Sequence, residues 1–127
     1  EFTRLPGSSA WFETGFVTYS NEAKQRLLGV SADSLRQYGA VSEAVVHEMA
    51  AGARRAADAD YALSISGIAG PDGGNPEKPV GTVCFGLADR QTTYARTARF
   101  NGNRDEIRRQ AVDFALAFLN EILSSAQ

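Results

Sequence analysis

Residues 61–100 read YALSISGIAGPDGGNPEKPVGTVCFGLADRQTTYARTARF, and this stretch decides the fold class. Tyr61 to Ile65 alternates Leu63 and Ile65 with Ser64 and Ser66, which predicts a strand with one apolar face. Val80–Ala88 and Thr92–Phe100 are rich in strand formers and predict two more strands around a turn at Asp89-Arg90-Gln91. Between the first strand and the second lies GIAGPDGGNPEKP, Gly67 to Pro79, with four glycines and three of the chain's four prolines. A loop this long without structure of its own is unusual, and such loops are often functional.

Helices flank the stretch on both sides. Downstream, Asn103 with Glu106 forms an N-x-x-E capping box. It opens a helix whose apolar stripe is Ile107, Ala111, Phe114, Ala115, Phe118, Leu119 and Ile122. Upstream, Ser42 caps a helix with apolar face Val45, Val46, Met49, Ala53 and Ala56. Ser31 caps a shorter one, Ala32 to Tyr38, ended by Gly39, and Glu22 to Leu28 is a helix stopped at Gly29. Thr14 to Ser20, TGFVTYS, predicts a further strand. Strands mixed with helices in this order predict an α/β protein, and 127 residues predict one domain, 1–127. Glu1 to Leu5 reads as the end of a helix with no cap before it, so the expectation is a chain that starts inside a domain.

Composition excludes several function classes. Thirteen basic and 15 acidic residues give a formal net charge of −2, without the broad positive footprint of a nucleic-acid binder. No stretch approaches the roughly 20 apolar residues of a membrane span. One cysteine, Cys84, and one histidine, His47, cannot build a zinc site of the usual kind, and no metal is expected. Cys84, between Val83 and Phe85, reads as inert core, and His47 as a structural or solvated side chain. The expected setting is the cytoplasm.

Three segments could carry chemistry. GSSAWFETGFVTYSNEAK, Gly7 to Lys24, gathers Ser8, Ser9, Tyr19 and Lys24 around one strand. A serine needs a base to become a nucleophile, and a lysine or tyrosine can serve when the site lowers its pKa. The alternative is ordinary structure: turn serines beside Pro6-Gly7, a packed tyrosine and a solvated lysine. The Gly67 loop could bring backbone N–H groups close to an anion or a sugar through Gly67, Gly70, Gly73 and Gly74. It lacks the Gly-Lys-Ser/Thr ending of a P-loop and the G-x-G-x-x-G dinucleotide pattern, and a long ordered loop is the other reading. Arg104, with Arg108 and Arg109 one turn on, could hold a phosphate at a helix N-terminus or be surface charge.

Taken in order, PGSSAWFETGFVTYSNEAKQRLLGV, YGAVSEAVVHEMAAGA, ADYALSISGIAGPDGG and KPVGTVCFGL resemble the CinA C-terminal domain family, whose stand-alone form is a nicotinamide-nucleotide amidase. The match runs from about Leu5 to Leu123. The resemblance implies a three-layer α/β/α sandwich. It implies hydrolysis of the carboxamide of nicotinamide mononucleotide (NMN) to nicotinate mononucleotide and ammonia, in bacterial pyridine-nucleotide salvage, with no cofactor. Ser9, Tyr19 and Lys24 match the family's catalytic serine, tyrosine and lysine. Gly7, Ser8, Gly67, Gly70, Gly73, Gly74 and Arg104 would meet the oxyanion, ribose and phosphate. Family members also carry an A-E-S-C-T-G-G segment upstream of PGSS that adds another serine. The residues given begin after it, so the N-terminal helix and strand of the family fold are expected to be absent from them. The exposed sheet edges, together with the apolar stripe of the last helix, lead to an expected homo-oligomer. The alternative function is a non-catalytic nucleotide-binding or oligomerisation module.

Overall fold

A computed structural model describes residues 21–125, and the expected strand Thr14–Ser20 lies outside them. The element order is α1 (Asn21–Leu28), α2 (Ala32–Tyr38), α3 (Glu43–Ala57), β1 (Ala62–Gly67), β2 (Thr82–Ala88), β3 (Thr93–Arg99) and α4 (Arg104–Ser125). The three strands pair antiparallel in the order β1-β2-β3. Ile65 stands opposite Phe85, and Phe85 opposite Arg96.

The pleat of β2 sorts the helices into layers. Every residue from Thr82 to Ala88 is buried, because both faces of this central strand are covered. Val83, Phe85 and Leu87 point to one face and pack against Ile107, Ala111, Ala115, Phe118 and Ile122 of α4. Cys84 points to the other and packs with Leu28, Leu35, Val45, Val46 and Met49 of the first three helices. The result is the α/β/α sandwich expected. Phe85 stacks on Phe114 at 4.5 Å between centroids, and Phe100 closes the trio edge-on to both. The α4 stripe thus packs on this chain's own sheet, with Ile107, Ala111, Ala115, Phe118 and Ile122 buried and Phe114 and Leu119 half-buried.

Three sequence expectations need adjustment. β2 begins at Thr82 rather than Val80, because Gly81, at φ 99°, turns the chain just before the strand. In β1, Leu63 and Ile65 do face the α4 side, yet Ile65 is 38% exposed while Ser64 is buried. Ser64 is tolerated beneath α3 because its hydroxyl donates to the Val46 carbonyl at 2.6 Å. On α3 the apolar face runs through Ala50 and Gly52, and Ala56 is exposed.

The caps form as the sequence predicts. The Ser31 hydroxyl accepts from Ser34 N at 3.0 Å and the Ser42 hydroxyl from Val45 N at 3.2 Å. Asn103 Oδ1 accepts from Glu106 N, and Glu106 Oε1 accepts from Asn103 N, both at 2.9 Å. Asn103→Ala should remove about 1 kcal/mol, which for a domain of this size lowers Tm by roughly 3–5 °C. A thermal melt checks it, and an unchanged Tm would show that α4 needs no cap.

Candidate functional site

The long loop between β1 and β2 is built from its neck outward. Ile68 N donates to Thr82 O at 2.9 Å and Gly81 N to Ile68 O at 2.7 Å, so the two limbs leave the sheet as a closed pair. Gly70 is buried at φ 80°, and a Cβ there would lie 2.5 Å from Val80 Cγ1. Only glycine fits this position, on both backbone and steric grounds. Further out, Asn75 N donates to Lys78 O at 3.0 Å and Lys78 N to Asn75 Oδ1 at 2.8 Å, closing a turn. Gly73 and Gly74 lie at the exposed tip.

Three cations tie this loop to its surroundings, each through a main-chain carbonyl. Arg104 Nη1 donates to Gly70 O at 3.0 Å. Arg99 Nη2 donates to Glu77 O at 2.9 Å, and Lys78 Nζ to Tyr38 O at 2.5 Å. The structure therefore brings Gly70 and Arg104 together, as two of the residues singled out by sequence. It also adds Lys78 and Arg99, which sequence reasoning did not single out. The Asn75-Pro76 turn signal was visible for Lys78. Nothing local pointed to Arg99, whose partner lies 22 positions away.

Lys24 sits on α1 and is only 6% exposed. Burial pushes its ammonium below the ordinary lysine value of 10.5, because a low-dielectric site penalises the charged form. A lysine that loses its proton more readily is suited to take one from a hydroxyl. Ser9, Tyr19, Gly7 and Ser8 lie outside the described residues. The grouping of Lys24 and Tyr19 with the PGSS serines therefore stays an expectation.

Cys84 and His47 lie as the sequence predicts. Cys84 is buried, its Sγ 3.5 Å from Thr97 Oγ1, and burial pushes its thiol up, so it holds its proton as inert core. His47 is exposed on α3. At the opposite end of the sheet a hollow of about 370 Å³ is lined by Asp60, Tyr61, Asp89, Arg90 and Gln91. Its arginine is engaged by Asp60 at 2.8 Å and Asp58 at 3.7 Å. Among the described residues no helix is long and apolar enough to cross a membrane.

Residues 1–123 match the family described as the CinA C-terminal domain. A nicotinamide-nucleotide amidohydrolase, PncC, of Escherichia coli K12 is 62% identical over 118 residues, covering 92% of this chain and 72% of the relative. Its namesake in Enterobacter agglomerans is 60% identical over 115 residues, covering 90% and 70%. In the crystal structure of competence damage-inducible protein A from Klebsiella pneumoniae, the match has a TM-score of 0.91 at 41% identity. It covers 97% of this chain and 76% of that one.

Proposed function

The chain belongs to the CinA C-terminal domain family, and on that footing we propose that it hydrolyses the carboxamide of NMN to nicotinate mononucleotide and ammonia. The observation that carries the reading is Lys24: a buried lysine with its pKa lowered, at the position where the family's motif places a catalytic lysine. A solvated surface lysine would have neither property.

In this proposal Ser9 is the nucleophile. The pyridinium ring of NMN draws electrons from the amide carbon and eases attack. Ser9 Oγ bonds to that carbon while its proton passes to Lys24, directly or through Tyr19. The same relay returns a proton to the leaving nitrogen, so ammonia departs and an acyl ester remains on Ser9. A water then adds to the ester, its proton going to the relay; the acyl–Oγ bond breaks, the relay returns that proton to Ser9 Oγ, and nicotinate mononucleotide is released. Backbone N–H groups near Gly7-Ser8 hold the oxyanion. Loop 67–74, with Arg104 behind it, receives the ribose and phosphate. The substrate is a small nucleotide, the setting cytoplasmic and pyridine-nucleotide salvage the context, with assembly as a homo-oligomer part of the same proposal. The test is ammonia release from NMN. Stoichiometric ammonia with nicotinate mononucleotide supports the amidase, whereas NMN binding without turnover would replace it by a binding module.

A further inference from the structure

We infer that Arg104 is a positioning residue: it acts through the Gly70 carbonyl, fixing the shape of the loop that receives the nucleotide, and does not take the phosphate itself. This inference rests on the proposed role of loop 67–74 in binding.

The Gly70 peptide has little freedom of its own. The residue is buried, sits at φ 80° and leaves no room for a Cβ against Val80. Its carbonyl direction is set by that packing, and Arg104 Nη1 meets it at 3.0 Å. The backbone that carries the donor is fixed as well. Arg104 is the first residue of α4, immediately after Asn103, whose side chain and backbone N–H are both engaged by the capping box. A charged donor on a neutral carbonyl makes a bond stronger than one between neutral groups. Arg104 thereby holds the limb of the loop that leaves β1, while Arg99 and Lys78 hold the limb that returns to β2.

The surroundings argue against a phosphate at Arg104. Asp105 and Glu106 follow it in the first turn of α4 and offset much of the positive charge of Arg104, Arg108 and Arg109. The helix N-terminus, which would otherwise favour an anion, already has its Glu106 N–H engaged by Asn103. An anion placed there would meet two carboxylates beside a guanidinium already engaged by the Gly70 carbonyl.

The experiment compares Arg104→Ala and Arg104→Lys with the unaltered protein, using two substrates and one structural readout. Amide hydrogen exchange over residues 68–81 reports local opening of the loop. Ammonia release is measured with NMN and with nicotinamide riboside, which lacks the phosphate and is used as substrate or competing inhibitor. Loss of one charge-assisted bond should raise exchange over 68–81 by about tenfold in Arg104→Ala. The apparent affinity for both compounds should fall by the same factor, with kcat changed less. Arg104→Lys keeps a cationic donor and should recover part of each effect. A penalty confined to NMN would overturn the inference and make Arg104 a phosphate ligand. Unchanged exchange over 68–81 would overturn it as well. If the unaltered protein releases no ammonia from either compound, the amidase proposal fails, and the exchange data still decide whether Arg104 holds the loop.

Discussion

Ser9→Ala and Lys24→Met are each expected to lower kcat for ammonia release from NMN by at least ~10²-fold, with the circular dichroism spectrum unchanged. The serine supplies the attacking atom and the lysine takes its proton, so both act in the transition state. KM should move little, because neither contributes much to ground-state binding. Methionine is chosen at position 24 because it is close to lysine in length and suits a site only 6% exposed. Equal ammonia release by either variant would remove that residue from the mechanism.

Lys24 also predicts a pH signature in two independent measurements. In the unaltered protein kcat/KM should rise as the pH rises through the lowered Lys24 pKa, since the neutral amine is the base. That limb lies below the ordinary lysine value of 10.5. Stability follows with a definite sign. The folded-state pKa lies below the unfolded one, so between the two values the unfolded state binds more protons and stability increases with pH. Below the lowered pKa the destabilising effect of burying the charge is fully present, and it is relieved as the pH climbs toward the unfolded value. Lys24→Met has no such group. Its Tm relative to the unaltered protein should therefore be most favourable at low pH, with the difference shifting against it across that window. Parallel Tm profiles would show that Lys24 titrates as an ordinary lysine.

What was legible in the sequence was what local chemistry controls. Ser31, Ser42 and the Asn103–Glu106 pair each announce a helix start through a hydrogen bond spanning three residues, and all three form. The Asp89 turn is of the same kind, its carboxylate accepting from Gln91 N and Thr92 N. The sheet face of α4 was legible from its period. Tertiary contacts were not. Ile65 fits a strand pattern and yet is exposed, because burial on β1 depends on what lies above it, whereas Ser64 is buried through a carbonyl 18 residues away. In the candidate site the glycine loop was recognisable, but its anchoring was not, because Arg104, Arg99 and Lys78 reach carbonyls 22 to 40 positions distant. Lys24 could be named from its motif, but its burial could not be read from a helix that is polar through most of its length.

Gly52→Ala is expected to reduce kcat by up to ~10² from a position on α3, a different helix from the one that carries Lys24. Gly52 lies on α3 where the end of α1 crosses it, and a Cβ there would sit 1.7 Å from Leu28 O and 2.6 Å from Leu28 C. Both are backbone atoms, so no side-chain rotation relieves the clash. The end of α1 must move away from α3 by more than an ångström. Leu28 is the last residue of α1, and Lys24 is one turn before it, its carbonyl accepting from Val30 N at 3.2 Å. Displacing Leu28 therefore carries Lys24 with it. Two effects compete in stability: alanine gains about 1 kcal/mol of helix propensity over glycine, while overpacking against backbone costs roughly 1–3 kcal/mol or more. The clash should win, because α1 and α3 share the core that holds Leu28, Val30 and Met49. A fall in Tm is thus expected together with the fall in kcat, and the rate must be read well below the lowered Tm so that unfolding does not imitate the loss. A folded Gly52→Ala protein with full activity would show that α1 can move without moving the lysine out of place, and the link between this helix crossing and the chemistry would be broken.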